Sequence, residues 1–300
     1  MNRTPYDTVL RAQEPGGAFL SWVDGEGQPV ADANCFVTAL VVLELDRIDP
    51  GRTNPRLVAA VDRALGFLER CEEPGRPGAF RFHPAAPGSP RLAIPRLCPD
   101  ADDTAVALLA LVRRGRRDRS DAARALVDVI EPHRLRVRRG TEPQWVRAGA
   151  FQTWLTDGRQ PGPIDCCVNA NVAALYAEAG LAGSPGCAAA CATVAAGVRA
   201  TGGSAVHQRR LAPYYAHPAE LLHAVRRAVT AGAAALAATL EQLVVQPWAA
   251  GDRPAAEPWR PVCCNAHGRP LWRAPALQLA RGLAPVPDLV RGPGSARVPR

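Results

Sequence analysis

Asp100, Asp102 and Asp103 crowd into "CPDADDTAVALLAL" (98–111), just ahead of an apolar run that carries no other charge. One Asp is enough to cap a helix, and acids in a first turn suit the helix dipole. Three adjacent carboxylates repel one another, and apolar surroundings add to the cost of ionising them. At least one must then hold its proton well above the ordinary carboxylate range. A carboxylic acid kept neutral near pH 7 is a proton donor for a weak base. A second chemistry-bearing group lies in "PIDCCVNAN" (163–171) and "VCCNAHGRP" (262–270). Asp165, Cys166, Cys264 and His267 are zinc-ligand types, but their spacing matches no standard ligand element. Small buried cysteines that pack helices are the commoner reason for such residues.

The acids need elements to position them, and the chain repeats itself around them. "DANCFVTALVVLEL" from Asp32, "DADDTAVALLALV" from Asp100 and "NANVAALYAEAG" from Asn169 share a polar-Ala-polar opening and an apolar helix, 68 and 69 positions apart. Gly17-Ala18-Phe19, Gly78-Ala79-Phe80 and Gly149-Ala150-Phe151 precede them in the same order. More polar helical stretches alternate with these, at 54–71, 119–133 and 185–200, and the pattern continues with 213–229 and 268–283 as inner helices and 231–245 as an outer one. Strand signals are scarce. Helical hairpins of this length bury their apolar faces only by stacking. The expected fold is all-α, an α/α barrel of repeated hairpins over residues 1–283 as a single domain, with 284–300 a flexible tail. Inner-helix N-termini would meet at one mouth, with Asp100, Asp102 and Asp103 facing the cavity.

The net charge of +8 comes entirely from Arg, since the chain has no Lys. The dense stretches "RRGRRDR" (113–119) and "HRLRVRR" (133–139) lack interleaved aromatics, which argues against nucleic acid. No stretch reads as a signal or a transmembrane span, so a cytoplasmic protein with free thiols is expected.

Asp100-Ala101-Asp102-Asp103-Thr104-Ala105 resembles the DxDDTA signature of class II terpene cyclases, such as squalene–hopene cyclases and copalyl diphosphate synthases. Those belong to the prenyltransferase and squalene oxidase repeat superfamily of α/α barrels. The resemblance implies that Asp102 protonates a polyprenyl alkene or epoxide and starts a carbocation cascade, with Asp100 and Asp103 orienting it. Asn169 and Asn171, at the matching rim of the next repeat, are expected to hydrogen-bond the acid or a bound water. Aromatic faces stabilise cations, and Phe19, Trp22, Phe36, Phe151, Trp154, Tyr214, Tyr215 and Trp272 are the candidates near the mouth. A diphosphate, if the substrate carries one, would be retained and held by Arg91, Arg96 and Arg159, with Mg²⁺. Room for one barrel, degraded QW repeats and an aromatic content of 5% favour a short substrate: farnesyl or geranylgeranyl diphosphate, or a prenylated small molecule. They also suggest a homodimer or a partner protein closing the site. Two alternatives stand beside this reading. One is a zinc-dependent barrel acting on a thiol, since protein prenyltransferase β-subunits and lanthionine cyclases are similar in ligand types. The other is a non-catalytic barrel that binds an isoprenoid or a protein.

Overall fold

Every residue from Cys35 to Leu45, from Ala101 to Leu111 and from Cys166 to Tyr176 is buried, so three helices are covered on all sides. Helices apolar all round belong between two layers, whereas amphipathic ones form an outer skin. The computed structural model describes residues 6–24, 28–84, 97–138, 140–156, 162–250 and 252–284. Along it, α1 (Asp7–Arg11) leads to the antiparallel strands β1 (Ser21–Asp24) and β2 (Pro29–Asp32). The pairs α2 (Cys35–Ile48) with α3 (Pro55–Arg70), α4 (Ala101–Arg113) with α5 (Arg119–Ala125), and α6 (Cys166–Glu178) with α7 (Pro185–Thr201) follow. Short α8 (Gln208–Leu211), then α9 (Ala219–Ala231), α10 (Ala237–Val244) and α11 (Pro247–Ala250) precede β3 (Pro261–Cys264), β4 (Leu271–Arg273) and α12 (Pro275–Leu283).

The inner helices pack in a ring, α2 on α4, α4 on α6, α6 on α9, and α12 back on α2. The ring closes between α9 and α12 through a bidentate ion pair, Arg281 Nη1 and Nη2 donating to Glu220 at 2.7 and 2.8 Å, with both side chains about 1% exposed. Outside it, α3 packs on α2, α5 on α4, α7 on α6, α10 on α9 and α1 on α12. This is the expected α/α barrel. No helix among the described residues is long and apolar enough to cross a membrane.

Each Gly-Ala-aromatic phrase docks on the first turns of an inner helix. The backbone N–H groups of Phe19, Phe80 and Phe151 donate to Thr38 Oγ1, Thr104 Oγ1 and Asn169 Oδ1 at 3.2, 2.9 and 2.9 Å. Those three acceptors sit four residues past the helix caps Asn34, Asp100 and Asp165, each of which accepts backbone N–H groups of its own first turn. The caps define the true repeat register. It pairs Asn34, Asp100 and Asp165, in place of Asp32, Asp100 and Asn169 as the sequence phrases suggested. The phrase needs its glycine: Gly17 has φ +98°, and a Cβ there would lie 2.2 Å from the Arg63 carbonyl oxygen. Gly17→Ala is therefore expected to destabilise the fold by about 2–4 kcal/mol, read as a lower urea midpoint at unchanged slope.

The expectation of an all-helical chain needs one addition, a four-stranded antiparallel sheet in the order β2-β1-β4-β3. It joins residues 21–32 to 261–273, and Trp272 Nε1 on β4 donates to Asp32 Oδ2 at 2.8 Å. The helix expected over 268–283 accordingly begins only at Pro275.

Candidate active site

Asp100 caps α4, its Oδ1 accepting the N–H groups of Asp102 and Asp103 at 2.8 and 2.7 Å. That bend turns the two following carboxyls toward a cavity of about 340 Å³ at the N-terminal ends of the inner helices, lined by all three acids. Burial raises all three pKa values. Asp100 is pushed up to about 7, burial outweighing the hydrogen bonds from Asp103 and the backbone while Asp102 adds to the rise. Asp103 goes well above the carboxylate range through burial and then the charge of Asp100, and its buried Oδ2 has no hydrogen-bond partner among the described residues. Asp102 is raised by burial, opposed by hydrogen bonds from Tyr215 and Asn171 and by the charge of Arg227. Asp165, the cap of α6, is pushed up to about 8 by burial and then by Asp102.

Asp102 has two distinct oxygens. Oδ1 accepts from Asn171 Nδ2 at 2.6 Å, and Oδ2 is hydrogen-bonded to the Tyr215 hydroxyl. Asn171 sits six residues past its cap, so it reaches the acid from inside the ring. Asn169 does not reach it. Its amide is spent on the Phe151 backbone and the Asp165 carbonyl at 2.9–3.0 Å, an anchoring role.

Six aromatic residues complete the cavity wall: Phe36, Phe82, Trp154, Tyr214, Tyr215 and Trp272. They meet in three edge-to-face pairs. Phe36 and Tyr215 lie 5.7 Å apart at 74°, Phe82 and Trp272 5.4 Å at 77°, and Trp154 and Tyr214 5.6 Å at 88°. Each is placed by a backbone pairing. Trp154 bridges to Asp100, Tyr215 to Cys263 on β3, and the Phe82 carbonyl accepts from Cys35 N–H at 2.7 Å. Trp154 Nε1 also donates to the Tyr214 hydroxyl at 2.7 Å. Edge-to-face packing leaves ring faces turned elsewhere, and a ring face is where a cation is held. No Arg or His lies among the described lining residues.

Three expected aromatics fall elsewhere. Phe19 and Phe151 are fully buried core under their docking phrases, and Trp22 meets Trp259 in a tilted pair, centroids 6.1 Å apart, away from the cavity. Phe82 went unnamed, and alternation would have misplaced it: in an extended segment residues two apart share a face, which would put Phe82 beside Phe80. In "AFRF" (79–82) Phe80 is spent on the core, and Phe82 reaches the cavity because the chain bends toward α2 through its carbonyl. Arg91, Arg96 and Arg159 lie outside the described residues.

The structure does not bring Asp165, Cys166, Cys264 and His267 together. Asp165 caps α6, and Cys166 faces α7 at Gly197. Cys264 Sγ donates to the Pro213 carbonyl at 3.5 Å, and His267 is exposed in the β3–β4 turn. No group of three or more His, Cys, Asp or Glu among the described residues is arranged to hold a metal. The cavity carboxyls suit Mg²⁺ poorly too, being raised toward the neutral form or committed to backbone amides.

Fold and site together define a helical barrel with buried carboxyls, their pKa values raised, at the wall of an aromatic cavity. No protein-family model matches the sequence, and no curated protein is detectably similar to it. Among solved structures the chain is similar to the type II terpene cyclase MstE from Scytonema. A variant in complex with merosterolic acid A (product) shares 18% identity over 88% of this chain and 67% of that one, with a TM-score of 0.48. The apo form shares 17% over 96% of each chain at 0.44. A variant in complex with geranylgeranyl dihydroxybenzoate (substrate) shares 16% over 96% and 95% at 0.42. Residue roles rest on the geometry of this chain alone.

Proposed function

We propose that this protein is a class II terpene cyclase-like enzyme, using Asp102 as general acid on a polyprenyl alkene or epoxide. The observation that carries this is the buried Asp102 carboxyl, its pKa raised by burial, at the wall of a cavity lined mainly by apolar and aromatic side chains. An alkene is a very weak base, so its protonation needs a dry, aimed donor. In the step, the alkene π pair forms the new C–H bond with the Asp102 proton, and the O–H pair stays on the carboxylate. The tertiary cation so formed is attacked by the next alkene, which closes a ring. Ring faces of the six aromatic residues stabilise each successive cation, and loss of a proton or capture of water ends the cascade.

A cavity of about 340 Å³ lies at the lower end of small-molecule sites, about 300–1,000 Å³, which favours a short prenyl chain. The described lining supplies no cation for a diphosphate, so the reading assigns the cavity to the prenyl chain itself. The test incubates the protein in D₂O with C10 to C30 substrates, both prenyl diphosphates and uncharged prenylated aromatics, with and without Mg²⁺. The expected product is cyclic and carries one carbon-bound deuterium from the initiating step. Silence across the panel, or cyclic product without deuterium, overturns the proposal.

A further inference from the structure

Behind Asn171 stands an arginine that no cavity argument requires. Glu220, His223 and Arg227 follow one another at i, i+3 and i+7 on α9, forming a polar stripe along that inner helix. Arg227 is absent from the aromatic cavity. It lines a small pocket at the opposite, C-terminal end of the inner helices, with Leu43 and Glu44 of α2 and Arg113 of α4. From there its Nη1 donates to Asn171 Oδ1.

An amide side chain has two ends of nearly equal shape, one a donor and one an acceptor. Either end of Asn171 fits sterically against Asp102. A guanidinium has donors only, so the Arg227 contact forces Oδ1 of Asn171 backward and Nδ2 forward. The forward Nδ2 then donates to Asp102 Oδ1. In a neutral carboxyl the oxygen that accepts a hydrogen bond is the carbonyl, and the other carries the proton. Oδ2 accepts from the Tyr215 hydroxyl, but a hydroxyl can rotate to accept as well as donate, whereas Asn171 Nδ2 only donates. In the neutral acid the proton therefore sits on Oδ2 facing Tyr215, which lines the cavity while Asn171 does not.

We propose that Arg227 is a positioning residue that selects which oxygen of Asp102 holds the acidic proton. It fixes the Asn171 amide so that the proton sits on Oδ2, at the cavity wall. With the amide reversed, Asn171 Oδ1 would accept from Asp102, the proton would sit on Oδ1, and the acid would point away from substrate. After proton transfer the same chain delivers a polarised N–H to the new carboxylate, and the Arg227 charge favours that ionised form. The proposal rests on Asp102 being the proton donor, and its test separates the two.

The test compares Arg227→Met, which has similar length and no donor, Arg227→Gln, which can accept as well as donate, and Arg227→Lys, which remains donor-only. Two readouts are taken. The first is the infrared band of the Asp102 carboxyl, obtained in ligand-free protein as each variant minus the same variant carrying Asp102→Asn. The second is steady-state cyclisation. The band is expected to move to higher frequency or split in the Met and Gln variants, as Oδ1 loses its donor, and to stay in place for Lys. Turnover is expected to fall about 10²-fold for Met and Gln with KM within about twofold, because Arg227 touches no substrate, and Lys should restore most of it. A carboxyl band and kcat unchanged in either Met or Gln overturn the assignment, as does a Lys variant as damaged as Met. If the parent itself shows no turnover, the reading of Asp102 as cyclase acid fails, and the infrared comparison alone still decides whether Arg227 sets the proton.

Discussion

Asp102→Asn is expected to lower cyclisation by at least about 10³-fold while the protein stays folded, because the substitution removes the transferable proton and little else. An Asn at this position keeps the size of the side chain. Its oxygen still accepts from Asn171 Nδ2, and its nitrogen donates to the Tyr215 hydroxyl, so both contacts of the neutral acid survive. The thermal midpoint should therefore match or exceed that of the parent, since a buried ionisable group has gone. Asp103→Asn makes the informative contrast. Asp103 is buried beside Asp100, whose charge adds to the rise in its pKa, and is next to the proposed proton donor in sequence without being that donor, so its loss should reduce turnover by a smaller factor. Substrate-panel assays with product mass spectra read both effects. Equal damage from the two variants would mean that the triad acts as one titrating unit, and retained activity in Asp102→Asn would remove the proton donor altogether.

Stability should fall as pH rises from about 5 to 9, the reverse of what a surface rich in paired acids would give. Asp100 is raised to about 7, Asp165 to about 8, and Asp102 and Asp103 are raised as well, each chiefly by burial. In the unfolded chain these groups titrate near 3.9. Between that value and their folded values the native state binds more protons than the unfolded state, so their contribution is full below about pH 4 and is lost as pH climbs through 7 and 8. Together the loss is on the order of several kcal/mol. Glu44 and Glu220 act in the opposite sense: nearby arginines overcome burial and hold them below the usual range. Their contribution is present above about pH 4 and disappears in stronger acid. The optimum should lie near pH 5. Melting curves at pH 5, 7 and 9 test this, with Asp165→Asn flattening the upper half of the profile; a midpoint equal or higher at pH 9 would show the mouth carboxyls ionised. Activity should also fall as pH rises, since only neutral Asp102 can donate.

What the sequence made legible was the part written in strong local chemistry. Three Asp ahead of an apolar run announced a capped inner helix with a neutral acid, and two recurring phrases announced a barrel. The register between repeats was illegible because Asp and Asn cap interchangeably. Asp32, Asn34, Asp165, Asn169 and Asn171 all qualify by type, and only the docking of Phe19, Phe80 and Phe151 onto Thr38, Thr104 and Asn169 tells cap from neighbour. The strands were missed because they are three or four residues long, too short for alternation to register. Aromatic poverty misled in another way. Six of the sixteen aromatic residues gather on one wall, and composition carries no information about clustering. Arg227 was hidden because its role depends on which residue of the neighbouring inner helix α6 it meets.

The sheet that joins β1 to β4 ties together segments nearly the whole chain apart. Trp272, which packs on Phe82 at the cavity wall, and α12, which closes the ring through Arg281, are made after every other helix of the ring. Earlier hairpins can form as they emerge, since their contacts are local. The greasy hollow itself has no fourth wall until synthesis has passed residue 283. Its assembly therefore waits for β4 and α12, and a nascent chain stalled before β3 would expose the inner faces of α2 and α9 to chaperones.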